Sequence, residues 1–274
     1  SAASKPCDGV CGWLLLIDYG GPGSGLWGER HPEGLLRTYR AHHAGADPYR
    51  AVGLMDLTAH VDTTAITNAA IAVGHPFTLY SYTPKVLGAL PHGVDVRDAR
   101  EVMPEEKLVR YSDSGAVQLG ANFFRYALLA KGLGYWVDMD FCFLKPLDFN
   151  EPYVFGWEYE NWINNALLRI PADSDMAHEL CSLPQTNRRP PWFGPKRTLL
   201  YYWARFTKGD IPVEDLPWGT FSSGMVTYLA KKYHVAEQAQ KPRVFYPVRW
   251  KDAPTLLGPA SVIEEMITPE TVSV

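Results

Sequence analysis

The feature that most constrains the fold is an alternation of apolar, strand-like segments with helical segments. WLLLID (13–18), PFTLYSY (76–82) and YWVDMDFCFL (135–144) are short, apolar and rich in aromatic or branched residues, which is typical of buried strands. TTAITNAAIAVG (63–74) and the longer segment 112–134 have helical periodicity. This alternation predicts an α/β fold with a Rossmann-type, mainly parallel sheet flanked by helices.

Shorter segments extend the same prediction along the chain. Residues 32–43 are predicted to form a short helix beginning near Pro32. The remaining predicted strands are 56–62, 93–99, 152–160 and 161–171, the remaining predicted helices are 173–183 and 224–234, and residues 243–250 are predicted to form a late strand or a loop.

Composition excludes several classes of protein. The net charge of −4 and the isoelectric point of about 6.1 give no general attraction to nucleic acid or to an anionic membrane. The chain has no run of 18 apolar residues, so no transmembrane segment is predicted. The amino terminus lacks the pattern of a signal peptide. The four cysteines are too few for a disulfide scaffold, so we expect reduced thiols and a cytoplasmic location.

Two carboxylates stand where the strand at 135–144 is predicted to end. Asp138 and Asp140 are two residues apart, so they point to the same side of an extended chain. Adjacent carboxylates repel unless a cation lies between them, and Mg²⁺ and Mn²⁺ prefer oxygen ligands. The pattern alone is weak evidence, because a second Asp-x-Asp at 173–175 is explained by the start of a helix.

The helical segment before this strand carries two further polar candidates. Asn122 and Arg125 are three residues apart and lie on a different face from the apolar stripe of Val117, Ala121, Phe124 and Leu128. An amide and a guanidinium on one face could bind sugar hydroxyls or a phosphate. The alternative is a solvated helix face with no ligand.

Together these residues resemble bacterial glycosyltransferases with an Asp-x-Asp sugar-binding region, which are related to capsular polysaccharide enzymes, initiating mannosyltransferases and clostridial toxin glucosyltransferases. The matching positions are Asn122, Arg125, Tyr126, Leu129, Gly134, Trp136, Asp138 and Asp140, and the resemblance extends over residues 74–274. It implies a GT-A fold, a nucleotide-sugar donor, a glycan or lipid-linked acceptor, and Mn²⁺ or Mg²⁺.

The same resemblance implies a role for each site residue. Asp138 and Asp140 would be the catalytic and metal-binding pair, with Asp140 on the metal. The donor would be bound by Asn122, Arg125, Tyr126, Trp136 and Asp138.

Residues 9–73 resemble a different family. GWLLLIDYGGPGSG, LLRTYRAHHAGADPY and GLMDLTAHVD are similar to the methyltransferase-like assembly factors of respiratory complex I and their bacterial relatives. The sequence therefore predicts a methyltransferase-like fragment at 1–73, which could supply a strand of the sheet, and a GT-A-like domain at 74–274. Two alternative functions stay open: an S-adenosylmethionine-dependent methyltransferase-like assembly protein, or a non-catalytic fusion of two incomplete parts.

Two departures from these patterns shape the expected activity. The first strand of the glycosyltransferases and their His-x-Trp segment near the end are not recognisable, so a weak or inactive transferase is expected. The glycines at 23–28 match Gly-x-Gly-x-x-Gly, but Pro32 interrupts the helix that should follow. We therefore expect residues 1–73 not to bind S-adenosylmethionine.

Overall fold

The computed structural model describes residues 20–21, 36–40, 43–45, 56–59, 61–62, 71, 74–75, 77–84, 93–138, 141–186, 188–249, 251–252 and 260–274. The strand predicted at 13–18 and the carboxylate of Asp140 lie outside these residues.

The amino-terminal region contains two small sheets. β1 (Gly20–Gly21) pairs in parallel with β5 (Val61–Asp62). β2 (Leu36–Arg40) pairs antiparallel with both β3 (His43–Gly45) and β4 (Asp56–Ala59).

The helix predicted at 32–43 is therefore wrong over β2. Its sequence, LRTYR, includes Thr38 and Tyr39, whose branched and aromatic side chains favour an extended backbone.

A parallel pair leads into the rest of the protein. β6 (Phe77–Ser81) and β7 (Val94–Asp98) pair in register from Phe77 opposite Val94 to Ser81 opposite Asp98. The first four side chains of β6 are buried, and this confirms the predicted strand at 76–82.

The best predicted helix is present and shorter than expected. α1 (Gln118–Ala130) begins after Val117, which provides no side-chain cap, and buries Phe124 and Leu128. Gly132 follows with a φ of 67°, a left-handed conformation that glycine adopts at low cost and that ends the helix.

The next three strands form an antiparallel sheet. β8 (Trp136–Val137), β9 (Val154–Tyr159) and β10 (Trp162–Arg169) are ordered β8–β10–β9, and a turn at Asn161, with a φ of 63°, joins β9 to β10. Within the predicted strand at 135–144, Trp136 and Val137 pair with β10, which is antiparallel rather than parallel, and Phe143 forms an isolated antiparallel bridge with Ser273.

The remaining described chain contains five α-helices. They are α2 (Asp175–Ser182), α3 (Pro195–Lys208), α4 (Ser223–Lys232), α5 (Pro242–Phe245) and α6 (Ala260–Met266). The Ser174 side chain caps α2 by accepting a hydrogen bond from the amide of Ala177. The late strand considered at 243–250 is wrong, because Pro242 begins one helical turn there.

The β8–β10–β9 sheet lies between two hydrophobic clusters. Its residues alternate between them: Trp136 and Phe155 join the larger cluster with α1, α2 and α4, while Val137 and Val154 join the smaller one. The fold is therefore mixed α/β, but its described strands form two parallel pairs and two antiparallel sheets instead of one mainly parallel sheet, and a GT-A Rossmann fold is not confirmed. Within the described ranges, no helix is long and apolar enough to cross a membrane.

Candidate functional site

α1 and β8 bring four of the predicted site residues together. Arg125 Nη2 donates to Asp138 Oδ1 at 2.7 Å, and Arg125 Nη1 donates to Asn122 Oδ1 at 3.0 Å. The helix supplies Asn122 and Arg125 from one face, as their spacing predicts, and Asp138 stands directly after the last paired residue of β8.

Trp136 contacts both charged members of this group. Its indole Nε1 donates to Asp138 Oδ1 at 2.5 Å, and the Arg125 guanidinium carbon lies 4.6 Å from the centre of its ring. The contact is a cation–π interaction in a desolvated place, since Trp136 is only 2% exposed. Asp138 is fixed at the main chain as well, because its amide donates to the carbonyl of Ala166 at 2.7 Å.

Two more residues complete the group and were not predicted from the sequence. Asn165, on β10, donates through Nδ2 to Asn122 Oδ1 at 3.2 Å and accepts from Ser223 Oγ at 3.0 Å. The one available signal is that an asparagine interrupts the apolar run of WINNALLR, where a buried amide needs partners. We call Asn122, Arg125, Trp136, Asp138, Asn165 and Ser223 the Arg125 cluster.

The burial of this cluster determines which of its side chains a ligand could reach. The side chain of Arg125 is 7% exposed and that of Asp138 is 33% exposed, so Asp138 is the more accessible partner of the ion pair. The charge of Arg125 is balanced by Asp138, which leaves little net positive charge for an anionic ligand. Among the described residues, the buried Arg125 Nε has no hydrogen-bond partner. The ion pair can support the fold by itself, and ligand binding by Asn122, Arg125, Trp136 and Asp138 stays a prediction.

Tyr126 and the proposed metal pair have separate outcomes. The Tyr126 hydroxyl donates to the carbonyl of Phe221 at 2.8 Å, and complete burial raises the pKa of Tyr126 to about 12. Asp140 lies outside the described residues, so its role as a metal ligand stays a prediction, as does Mn²⁺ or Mg²⁺ binding. In the part of the chain that the structure describes, no group of three or more His, Cys, Asp or Glu could hold a metal ion.

A partly open cavity of about 300 Å³ lies apart from these residues. It is bordered by Leu183, Arg188, Tyr201, Glu214 and Phe221, among others, and none of the predicted site residues lines it.

In the amino-terminal region, two segments that the sequence singles out are paired. The parallel pairing of β1 with β5 sets Gly20 opposite Val61 and Gly21 opposite Asp62. It therefore joins the two segments, DYGG and DLTAHVD, that carry the methyltransferase resemblance. In open α/β sheets, ligands bind beyond the carboxyl ends of parallel strands, and glycine allows a ligand to approach the backbone closely.

Comparison with known proteins supports one of the two resemblances. Residues 3–81 match a family model described as "Putative S-adenosyl-L-methionine-dependent methyltransferase". No curated protein and no solved structure matches the chain. The family match includes the segments DYGG and DLTAHVD, and it ends at Ser81, the last residue of β6.

These findings correct the leading functional interpretation. The glycosyltransferase assignment is wrong, because the family match is to methyltransferases and nothing in the comparisons indicates a glycosyltransferase. The Asp-x-Asp and manganese assignments that came with it lose their support, as do the nucleotide-sugar donor and glycan acceptor. The division at residues 73 and 74 stays a prediction. The match favours an enzyme of the methyltransferase type and covers less than a third of the 274 residues.

Proposed function

We propose that the protein is an S-adenosylmethionine-dependent methyltransferase or a close relative that retains binding of S-adenosylmethionine. The observation that carries the proposal is the family match over residues 3–81. The expectation that residues 1–73 do not bind this molecule rested on the missing glycine-rich turn before a helix. It is untested, and the family match argues against it.

The β1–β5 edge supports a location for the ligand. Gly21 and Asp62 are the last residues of two parallel strands, and they stand opposite each other in the register. S-adenosylmethionine carries a ribose, and an aspartate beyond a strand end is a common acceptor for ribose hydroxyls. Asp62 is therefore the residue that we assign to the ligand, with Gly20 and Gly21 allowing close approach of the backbone.

The Arg125 cluster is not assigned to S-adenosylmethionine in this proposal. Its arginine is buried and paired, and its residues lie outside the matched range. The two places can therefore be separated by mutation. The affinity of a ligand bound at the β1–β5 edge should fall when Asp62 is substituted. It should not change when carboxylates of the carboxyl-terminal part are substituted.

The test is titration calorimetry of the full chain with S-adenosylmethionine. We expect saturable binding that S-adenosylhomocysteine displaces, since the two molecules share the nucleoside. Asp62→Asn should weaken binding about tenfold or more, because a hydrogen bond to a charged group contributes on the order of 1.5–3 kcal/mol and each 1.4 kcal/mol is tenfold.

The matched control is Asp95→Asn. Asp95 also stands in a parallel strand, β7, but its exposed side chain pairs with Arg97 at 2.7 Å. This variant should bind as the unchanged chain does. Absence of any binding would favour the non-catalytic fusion, and equal losses in the two variants would show that the Asp62 effect is not specific to the β1–β5 edge.

A further inference from the structure

We propose that α3 is a membrane-surface helix that inserts its outward apolar face into a bilayer containing anionic lipids. Five large apolar side chains of this 14-residue helix are exposed to solvent, by 54–85%: Leu199, Leu200, Tyr202, Trp203 and Phe206. A contiguous apolar patch of this kind is rare on a soluble surface and marks an interaction site.

The orientation of α3 leaves this patch facing away from the protein. Thr198, Tyr201 and Ala204 are three residues apart and form the less exposed line of the helix, with Tyr201 buried at 5%. At about 100° per residue, Trp203 and Phe206 fall on the opposite side of the helix. The body of the protein holds one side of α3, and the apolar side is free to enter a bilayer.

The charge around α3 favours an anionic surface as the occupant. Residues 186–209 contain six basic residues and no acidic one, although the whole chain has a net charge of −4. The six are Arg188, Arg189, Lys196, Arg197, Arg205 and Lys208. Arg205 pairs with Asp210 at 2.9 Å, just beyond the helix. The local charge thus reverses the overall one, and the attraction absent from the whole chain is present at this helix.

A second copy of the chain fits this surface less well. Two copies joined through α3 would bring two such basic segments together, and like charges would repel. An anionic bilayer offers apolar depth for Trp203 and Phe206 and negative headgroups for the basic residues, which is the pattern of helices that lie in the membrane interface. Tyr202 and Trp203 also have the ring and polar group that favour the headgroup level.

The test is sedimentation of the full chain with vesicles. One set contains phosphatidylcholine alone, and the other contains phosphatidylcholine with phosphatidylglycerol. We expect binding to the anionic vesicles that weakens as salt is raised, and weaker binding to phosphatidylcholine alone. The double variant Trp203→Ala, Phe206→Ala should lower the affinity about tenfold or more, because it removes two large apolar side chains that would be buried in the bilayer.

The matched control is Trp218→Ala. Trp218 is 69% exposed, much as Trp203 is at 67%, but it stands outside α3. It should leave vesicle binding unchanged. The proposal would be overturned if the double variant bound vesicles as tightly as the unchanged chain. It would also be overturned if the unchanged chain bound neither kind of vesicle. It would also be overturned if the chain formed a dimer that the double variant abolished, since the occupant would then be a second copy. Circular dichroism confirms that each variant is folded.

Discussion

The amino-terminal region, residues 3–81, and the carboxyl-terminal body, residues 93–274, carry different kinds of information: one matches a known family, and the other contains most of the described core. Residues 3–81 match a family model, and β1 to β6 are the strands that the structure describes within this range. Residues 93–249 contribute most of both hydrophobic clusters and most of the helices, yet the family match does not reach them. The family match thus lies in one region, and most of the described hydrophobic core lies in the other.

The Arg125 cluster shows that well-described packing does not by itself identify a function. The spacing of Asn122, Arg125, Trp136 and Asp138 resembles a sugar-binding motif, and the contacts among these side chains can support the fold without a ligand. A buried arginine needs an acceptor and a counter-charge, and Asn122 and Asp138 provide them at 3.0 and 2.7 Å. A short motif can therefore be required by the core without identifying the reaction.

The two regions meet at β6. Its Phe77, Leu79 and Tyr80 are in the family-matched range, and their side chains join the clusters of the body. His75, just before β6, accepts a hydrogen bond at Nε2 from the amide of Leu147 at 2.6 Å. The end of the matched segment is thus part of the core, and the stability of the carboxyl-terminal body should depend on β6 as well as on its own residues.

The largest expected effect tests the core that β6 and α1 share. Phe124 is fully buried, and its ring lies 6.3 Å from that of Tyr80 and 6.2 Å from that of Tyr82. Phe124→Ala should lower the free energy of unfolding by about 3–5 kcal/mol, measured by urea denaturation. Phe206→Ala, at a ring that is 85% exposed, should change it by no more than about 0.5 kcal/mol. Similar losses in the two variants would contradict the assigned core.

An intermediate effect is expected at the ion pair. Arg125→Ala removes a charge-assisted hydrogen bond to the carboxylate of Asp138 and another to the amide oxygen of Asn122, and it should lower the free energy of unfolding by about 1.5–3 kcal/mol. Binding of S-adenosylmethionine by the folded variant should be unchanged. The control is Arg97→Ala, which breaks an exposed pair with Asp95 and should lower the free energy of unfolding much less than Arg125→Ala does. If the folded Arg125→Ala variant no longer bound S-adenosylmethionine, the ligand would have to be assigned to the Arg125 cluster instead of the β1–β5 edge.

The smallest expected effect concerns the link between the regions. Burial lowers the pKa of His75 below its ordinary value of 6.5, so the unfolded chain takes up a proton there more readily than the folded protein does. The stability that His75 contributes is therefore complete above pH 6.5 and is lost as the pH falls towards the folded pKa. Urea denaturation at about pH 7.5 and about pH 5.5 should show a smaller difference for His75→Gln than for the unchanged chain.

Part of this fold follows from local sequence patterns. The helix α1 and the strands β6, β9 and β10 are confirmed within a few residues, because each has a strong apolar period and a clear stop such as Gly132. The direction of pairing could not be predicted. Whether β8 joins a parallel or an antiparallel neighbour depends on contacts with Leu167 and Leu168, which lie some 30 residues away.

The helix α3 was missed for a different physical reason. Its apolar residues run consecutively from Leu199 to Trp203, which hides the helical period. Of these five residues, only Tyr201 is buried, so the usual inward stripe is absent. Asn165 and Ser223 were missed because Asn165 reaches Asn122, and Ser223 reaches Asn165, only after α1, β10 and α4 have packed together.

Amide hydrogen exchange of the full chain, with and without S-adenosylmethionine, tests the central claim most directly. The account predicts that the ligand slows exchange in peptides covering Gly20–Gly21 and Val61–Asp62, and leaves the peptides of α1 and β8 unchanged. Slower exchange confined to α1 and β8, or no change anywhere at a saturating concentration, would contradict it.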